Sequence, residues 1–372
     1  MNPLIKWPGG KSSEINKIEH LIPKYNRYIE PFFGGGALFF HLNPKNAEIN
    51  DISQSLIDYY NLLKIQDKEL YNILISYNNS FSNILEFCNN NYFDILKVYN
   101  DIEKENLDKN NIEKHIEIII NDLLNEIDDE FYQNLILDSN EFESYIIKMV
   151  SDKMLRTISN NIKKPFSETD LKNNLITGFT SGYYMYFRKI YNDINLRKIN
   201  IPSLQYKVAN FYFIREYCYG SMFRYNAKGE FNIPYGGISY NNKNFKLKIE
   251  NMFNEDVKNI FKNTKIHCSD FSDFLKNINL TTNDFIFLDP PYDTDFSDYE
   301  GKAFTQYDQE RLAYELKNTD AKFILVIKNT DFIKNLYEKD FNILSFNNQY
   351  SYNVRSRNKR DVEHLIITNL PI

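Results

Sequence analysis

Tyr28-Ile29-Glu30-Pro31-Phe32-Phe33-Gly34-Gly35-Gly36 is the stretch that decides the fold. An apolar run ending in three glycines reads as a buried strand followed by a turn, and backbone without Cβ atoms can approach a nucleotide closely. By itself such a turn is equally compatible with a tight loop that binds nothing. The sequel sharpens it: Ala37 to Leu42 reads as helix, Ala47-Glu48-Ile49-Asn50-Asp51 as a second strand, and Ser53 to about Ile65 as a second helix. Strand, glycine turn, helix, strand is a nucleotide-binding opening. Asp51 ends the second strand fifteen residues beyond Gly36, where a carboxylate can accept hydrogen bonds from two ribose hydroxyls. Its rival reading is a helix cap, a role that Ser53 can fill instead.

The last third of the chain repeats the alternation. Strands are predicted at Lys265 to Cys268, Asp284 to Leu288, Phe323 to Ile327, Phe341 to Phe346 and His364 to Thr368, with helical stretches such as Asp308 to Leu316 between them. The two ends of the sequence are therefore expected to form one sheet. Asp289-Pro290-Pro291-Tyr292 follows the apolar run Phe285 to Leu288. Two prolines cannot extend a central ladder, so they fix a rigid turn at the strand's C-terminal edge, presenting an acid and an aromatic. An exocyclic amine on a base is a poor nucleophile because its lone pair is delocalised into the ring. A carboxylate and a backbone carbonyl that accept both its hydrogens favour a tetrahedral nitrogen, while Tyr292 can stack on the base. A base inside a duplex cannot reach such a pocket without being flipped out. Gly9-Gly10-Lys11-Ser12 superficially suggests a phosphate loop, but it lacks the upstream glycine and a preceding apolar strand, so an NTPase is excluded.

Between these ends the chain changes character. No glycine lies between Gly36 and Gly178 and no proline between Pro44 and Pro165, which predicts helices joined by Asn- and Asp-rich turns. Ile112, Ile116, Ile119, Ile120, Leu123, Leu124 and Ile127 form one helical stripe. Net charge over 372 residues is −6, but Ile84 to Glu143 holds sixteen acidic residues against four lysines, so the remainder is +6 and a nucleic-acid partner stays open. Further on, Tyr219 to Gly237 interleaves aromatics with glycines at 220, 229, 236 and 237, which suggests a hairpin-like loop. Arg224 within it can read a guanine through O6 and N7. Arg355-Ser356-Arg357-Asn358-Lys359-Arg360 suits phosphate contact, or is simply a solvated loop. No apolar run is long enough to span a membrane, and the N-terminus does not read as a signal peptide. A cytoplasmic setting is expected. Cys88, Cys218 and Cys268 make no CxxC pair and the five histidines show no ligand spacing, so no metal is expected.

Five blocks in order, Lys6-Trp7-Pro8-Gly9-Gly10-Lys11, Glu30 to Gly36, Asn50-Asp51, Arg224-Tyr225-Asn226 with Gly229 to Pro234, and Asp289 to Tyr292, together resemble the Dam-type (D12 class, alpha-group) DNA adenine methyltransferases. The resemblance implies S-adenosylmethionine as cofactor, S-adenosylhomocysteine as product and the adenine amino nitrogen of double-stranded DNA as acceptor. By matching positions it implies that Trp7, Lys11, Phe33, Gly34, Gly36, Asp51 and Asp289 border the cofactor and that Asp289, Pro290 and Tyr292 act on the amine. The rival readings are that Trp7 is simply core and Lys11 a solvated helix-start residue. The resemblance further implies DNA contacts from Lys6, Tyr219, Arg224 and Asn226, to which the basic run adds Arg355 and Arg357. Gly220 departs from the Asn common in GATC-specific relatives, so GATC is a plausible target and the exact site stays open.

The resulting expectation is a Rossmann-like α/β methyltransferase domain of residues 1–60 and 245–372. A mostly helical target-recognition domain, 61–244, is inserted in it, with the acidic helices at about 84–143 and a DNA-reading β-hairpin at about 219–240. A cognate restriction endonuclease is a conceivable partner. The alternatives are a methyltransferase acting on RNA or on a protein glutamine, and a catalytically idle DNA-binding module.

Overall fold

The apolar runs at the two ends of the chain meet in one seven-stranded sheet of order β3-β2-β1-β4-β5-β7-β6. The computed structural model describes residues 1–11, 14–105, 109–126, 135–291, 304–349 and 361–371. The strands are β1 Arg27–Glu30, β2 Ala47–Asn50, β3 Thr264–His267, β4 Asp284–Leu288, β5 Lys322–Lys328, β6 Asn342–Gln349 and β7 Asp361–Thr368. β3, β2, β1, β4 and β5 run parallel, and β7 is antiparallel to both β5 and β6. Every residue of β4 is buried, as are the five central residues of β5, which is why these strands read as continuous apolar runs rather than as alternation. Phe271, Phe274, Leu312, Leu316, Ile333 and Tyr337, from the helices Phe271–Asn277, Gln306–Lys317 and Asp331–Tyr337, cover one face of the sheet.

The chain divides into two compact units, residues 1–66 with 254–372, which carry the sheet, and residues 67–253. The second unit is built on long helices, Lys68–Asn90, Tyr92–Glu105, Lys109–Glu126, Ser139–Lys163, Glu168–Asn195 and Leu204–Tyr217. Most of their starts are set by side-chain caps. Asp67, Asp138, Ser167 and Ser203 each accept the N–H three residues on. Of the predicted stripe, Ile112, Ile116, Ile119, Ile120 and Leu123 are buried, whereas the side chain of Leu124 and all of Ile127 lie outside the described residues. Gly178 and Gly182 stand where the helices Ser139–Lys163 and Glu168–Asn195 touch. A Cβ on Gly182 would lie 2.7 Å from the Cα of Ile146.

The hairpin-like loop expected at 219–240 is present in interrupted form: the Asn226 N–H donates to the Glu230 carbonyl, the Asn232 N–H to the Arg224 carbonyl and the Tyr219 N–H to the Pro234 carbonyl. Only two isolated antiparallel bridges occur there among the described residues, Cys218 with Tyr235 and Tyr225 with Phe231, flanked by the short helical turns Tyr219–Ser221 and Ile238–Asn241. Pro234 has no N–H to give to a ladder, and left-handed backbone at Gly220, Ser221, Gly229 and Gly237 interrupts extended structure. The loop is also tied to helix Glu168–Asn195. Asn192 exchanges two hydrogen bonds with the backbone of Phe231, and Tyr184 and Arg188 both donate to the Ile233 carbonyl.

Candidate active site

β1 has β2 on one side and β4 on the other, and the chain proceeds from these two central strands toward opposite edges of the sheet. This reversal opens a crevice beyond their C-terminal ends, the place where open α/β sheets bind ligands. A cavity of about 570 Å³ lies there, lined by Trp7, Phe33, the glycine turn, Asp51, Phe271 and Asp289 among others.

The glycine turn owes its composition to what packs on it. Gly34 and Gly36 have φ of +49° and +63°, a region that L side chains rarely adopt, and a Cβ at Gly34 would lie 2.7 Å from the Trp7 ring. Trp7 is delivered by a turn in which the Gly10 N–H donates to the Trp7 carbonyl and Gly9 is left-handed. Trp7 is therefore a half-buried wall of the cavity rather than core. Phe33 is buried edge-on to Tyr60, whose hydroxyl donates to the Gly34 carbonyl.

Asp51 follows β2 directly. One of its oxygens accepts the Gly34 N–H and the other the Ser53 N–H, each at 2.9 Å, so two backbone donors fix the carboxylate plane. Ser53 is the cap of helix Gln54–Lys64, as the alternative assignment allowed. Asn50 beside it is buried and binds the ends of three strands together. Its amide donates to the Pro31 and Ser269 carbonyls and its oxygen accepts from the Ser269 N–H.

Asp289 and Pro290 follow β4. Gln309, fully buried, donates to the Pro291 carbonyl at 3.2 Å and clamps the double-proline turn. Lys11, expected to border the cofactor with a solvated helix start as the rival reading, lines the cavity. It is 3% exposed, not solvated, and its ammonium lies 3.3 Å from the Asp289 carboxylate and 3.5 Å from that of Glu14. Burial pushes the Asp289 carboxyl up to about 6, against the pull of Lys11, and the Glu14 carboxylate adds to the rise. Glu30, buried at the end of β1, is held by the Tyr28 hydroxyl at 2.8 Å. Its carboxyl is raised well above the usual range, chiefly by burial and further by Asp289 and Asp51.

Trp7, Lys11, Phe33, Gly34, Gly36, Asp51, Asp289 and Pro290 are thus brought together in one cavity. Lys6 is exposed and does not line it. Tyr292, Arg355 and Arg357 lie outside the described residues. Tyr219, Arg224 and Asn226 belong to the other unit. Tyr219 is 43% exposed, and Arg224 is exposed with its Nε donating to Asn232. Asn226 shapes the loop tip, its oxygen accepting the N–H groups of Lys228 and Glu230. Sequence reading missed Glu30 as a site residue, and also Ser269, Asp270 and Phe271, which line the cavity after β3. The signal was there: Asp270 caps helix Phe271–Asn277 and is paired with Arg311, so a cap directly after a strand marked this edge.

A switch-point cavity in a mixed seven-stranded sheet, with a carboxylate after β2 and Asp-Pro-Pro after β4, is consistent with a methyltransferase fold. Residues 7–128 and 117–352 match the D12 class N6 adenine-specific DNA methyltransferases, and the chain belongs to that family. It is 27% identical over 374 residues to the type II methyltransferase M.CviBI of Paramecium bursaria Chlorella virus NC1A, covering 99% of this chain and 100% of that protein. It is also 27% identical over 389 residues to the type II methyltransferase M.MjaIII of Methanocaldococcus jannaschii, with 99% of each covered. With the DNA adenine methylase of Vibrio cholerae it shares 22% identity over 367 residues, 96% of this chain and 92% of that protein. The protein is accordingly an adenine-specific, site-specific DNA methyltransferase, and membership implies S-adenosylmethionine as its methyl donor. No helix among the described residues is long and apolar enough to cross a membrane.

Proposed function

We propose that Asp289 and the Pro290 carbonyl accept the two hydrogens of the target adenine's amino group and so present its nitrogen lone pair for direct in-line methyl transfer. The observation that carries this reading is the Lys11–Asp289 pair at 3.3 Å, which supports a charged acceptor where burial alone would favour the neutral acid. Asp289 polarises the amine rather than acting as a strong base, and alignment supplies much of the acceleration.

The cavity's donor set fits S-adenosylmethionine. Asp51, its plane fixed by Gly34 and Ser53, is set to receive a ribose diol, and Trp7 and Phe33 supply apolar walls. When bound, the cofactor supplies a methyl group on a positively charged sulfur. Asp51 and Asp289 at one cavity make a field that favours such a cation, whereas burial holds Glu30 toward its neutral acid. Tyr292 is assigned by sequence to stacking on a flipped base.

Residues 67–253 form the target-recognition unit in this reading. Arg224 reads a guanine, Tyr219 wedges into the stack, Lys6 contacts a second guanine, and Arg355 and Arg357 contact phosphates. Asn226 serves by holding the loop tip in shape. GATC is the proposed target, double-stranded DNA in the cytoplasm the substrate, and no metal takes part. The type II names of the relatives support a partner restriction endonuclease.

The test is modified-base sequencing of plasmid DNA from a methylation-deficient host expressing this chain. Methylated adenine in one short motif is expected, GATC if Lys6 and Arg224 read as proposed. Asp289→Ala should abolish the signal while the protein stays folded, and full methylation by that variant removes the mechanism.

A further inference from the structure

Asp289, half-buried at the cavity wall, ends a line of four titratable groups whose other three members are buried. Its carboxylate meets the Lys11 ammonium at 3.3 Å, Lys11 meets Glu14 Oε1 at 3.5 Å, and Glu14 Oε2 meets His364 Nδ1 at 2.9 Å. Lys11, Glu14 and His364 are 3%, 4% and 0% exposed. The first three are drawn together by one turn, in which the Glu14 N–H donates to the Lys11 carbonyl, and by the start of the Asp-Pro-Pro turn. The fourth arrives from the far end of the chain. His364 sits in β7, paired across the ladders with Lys328 of β5 and Phe346 of β6, and its ring packs edge-on against Phe346 at 5.7 Å.

Two carboxylates share one ammonium here, in surroundings where water screens little. Whichever carboxylate is better held elsewhere competes less for Lys11. An ionised carboxylate can only accept, so in this bond Nδ1 carries the hydrogen and donates to Glu14. We propose that His364 is a positioning residue for methyl transfer: by holding Glu14 from the side away from Lys11, it commits the Lys11 ammonium to Asp289 and keeps Asp289 a charged acceptor. Among the described residues, the titratable groups around Asp289 include Lys11 and Glu14 of the N-terminal segment, Glu30 of β1, Asp308 at the cavity edge and His364 of β7. Among the described residues, those facing His364 include Glu14 and, as its ladder partner on the same face, Lys328. Of these, Lys11 and His364 favour the charged form of Asp289, and Glu14 opposes it.

The inference rests on Asp289 being the group that polarises the amine, so its test separates the two. Full-length protein labelled with 13C-aspartate is titrated without cofactor, the Asp289 resonance being assigned by its loss in Asp289→Asn. The wild-type midpoint is expected at about 6. His364→Leu should raise it by about one pH unit, while His364→Asn, which keeps a donor at the Nδ1 position, should stay near the wild type. Glu14→Gln should lower it, and adding His364→Leu to Glu14→Gln should then raise it by clearly less than His364→Leu does alone, because the hold of His364 on Glu14 is gone and only its direct charge effect on Asp289 remains. A charged acceptor is lost as pH falls through its pKa, so the acid limb of single-turnover methylation should move in the same order. An unmoved midpoint in folded His364→Leu overturns the proposal. Should that variant not fold, an unmoved midpoint in Glu14→Gln overturns it. Methylation retained by Asp289→Asn instead removes the reading of Asp289 and leaves the cofactor-free midpoints to stand or fall alone.

Discussion

A carboxylate held by one backbone N–H on each oxygen has two jobs at once, and Asp51 shows both. It closes the turn from β2 to the next helix through Ser53, and it ties that turn to Gly34. Replacing it with alanine removes both acceptors and the proposed ribose contact. Asp51→Ala should weaken S-adenosylmethionine binding about 10- to 100-fold, the equivalent of losing charge-assisted hydrogen bonds of about 1.5–3 kcal/mol. Calorimetric titration reads this directly, and an unchanged affinity would leave Asp51 a turn-former only. Arg224 offers the matching experiment in the other unit. It is exposed and its Nε is held by Asn232, so its guanidinium is oriented without being buried. Arg224→Ala should relax guanine preference at one position of the target by about 1–3 kcal/mol, measured as methylation rates on singly substituted sites. Equal loss on every sequence would make it a phosphate contact instead.

Elements in the sheet unit were legible because burial on both faces writes itself as uninterrupted apolar runs. The helix expected at Ala37 to Leu42 spans those residues, and β4 covers Asp284–Leu288 as read. The helices between Pro44 and Pro165 were legible as a kind but not in their limits, since Asp caps such as Asp67 and Asp138 are weaker punctuation than the glycine and proline this segment lacks. What no local pattern reveals is pairing over distance. Glu14 and His364 are 350 positions apart, and nothing in the sequence around Lys11 shows the two carboxylates that stand beside its ammonium. Asp51 and Asp289 were found because each ends a strand, where an acid is visible by position alone. The glycine pair at 178 and 182 belongs with the unread features. In an isolated helix Gly→Ala stabilises by about 1 kcal/mol, yet at Gly182 the new methyl would stand 2.7 Å from the Ile146 backbone. Gly182→Ala should therefore destabilise the protein, by about 1–3 kcal/mol in urea unfolding. A stabilised variant would mean that the two helices can part there without cost.

Charge distribution across the whole molecule makes a demand that its total conceals. A chain of net −6 that acts on DNA must confine its acidity, and the block from Ile84 to Glu143 holds twice that negative charge while the rest is positive. Within the block, Asp94, Glu103, Glu117 and Asp122 are exposed on helices whose apolar stripes are buried. At physiological salt, charges further apart than about 8 Å are largely screened from one another. Phosphate contacts, in contrast, displace counterions, and each should steepen the salt dependence of affinity by about 0.9 on a logarithmic scale. DNA binding by this acidic protein should therefore still fall steeply with salt. Neutralising Asp94, Glu103, Glu117 and Asp122 together, as Asn or Gln, should leave both affinity and that slope unchanged from physiological salt upward, where screening is strong. Fluorescence anisotropy with a labelled duplex over a salt series measures both quantities. A slope that steepens on neutralisation would place the acidic helices against the DNA itself, and the negative charge would then be part of target selection rather than of a surface kept apart from it.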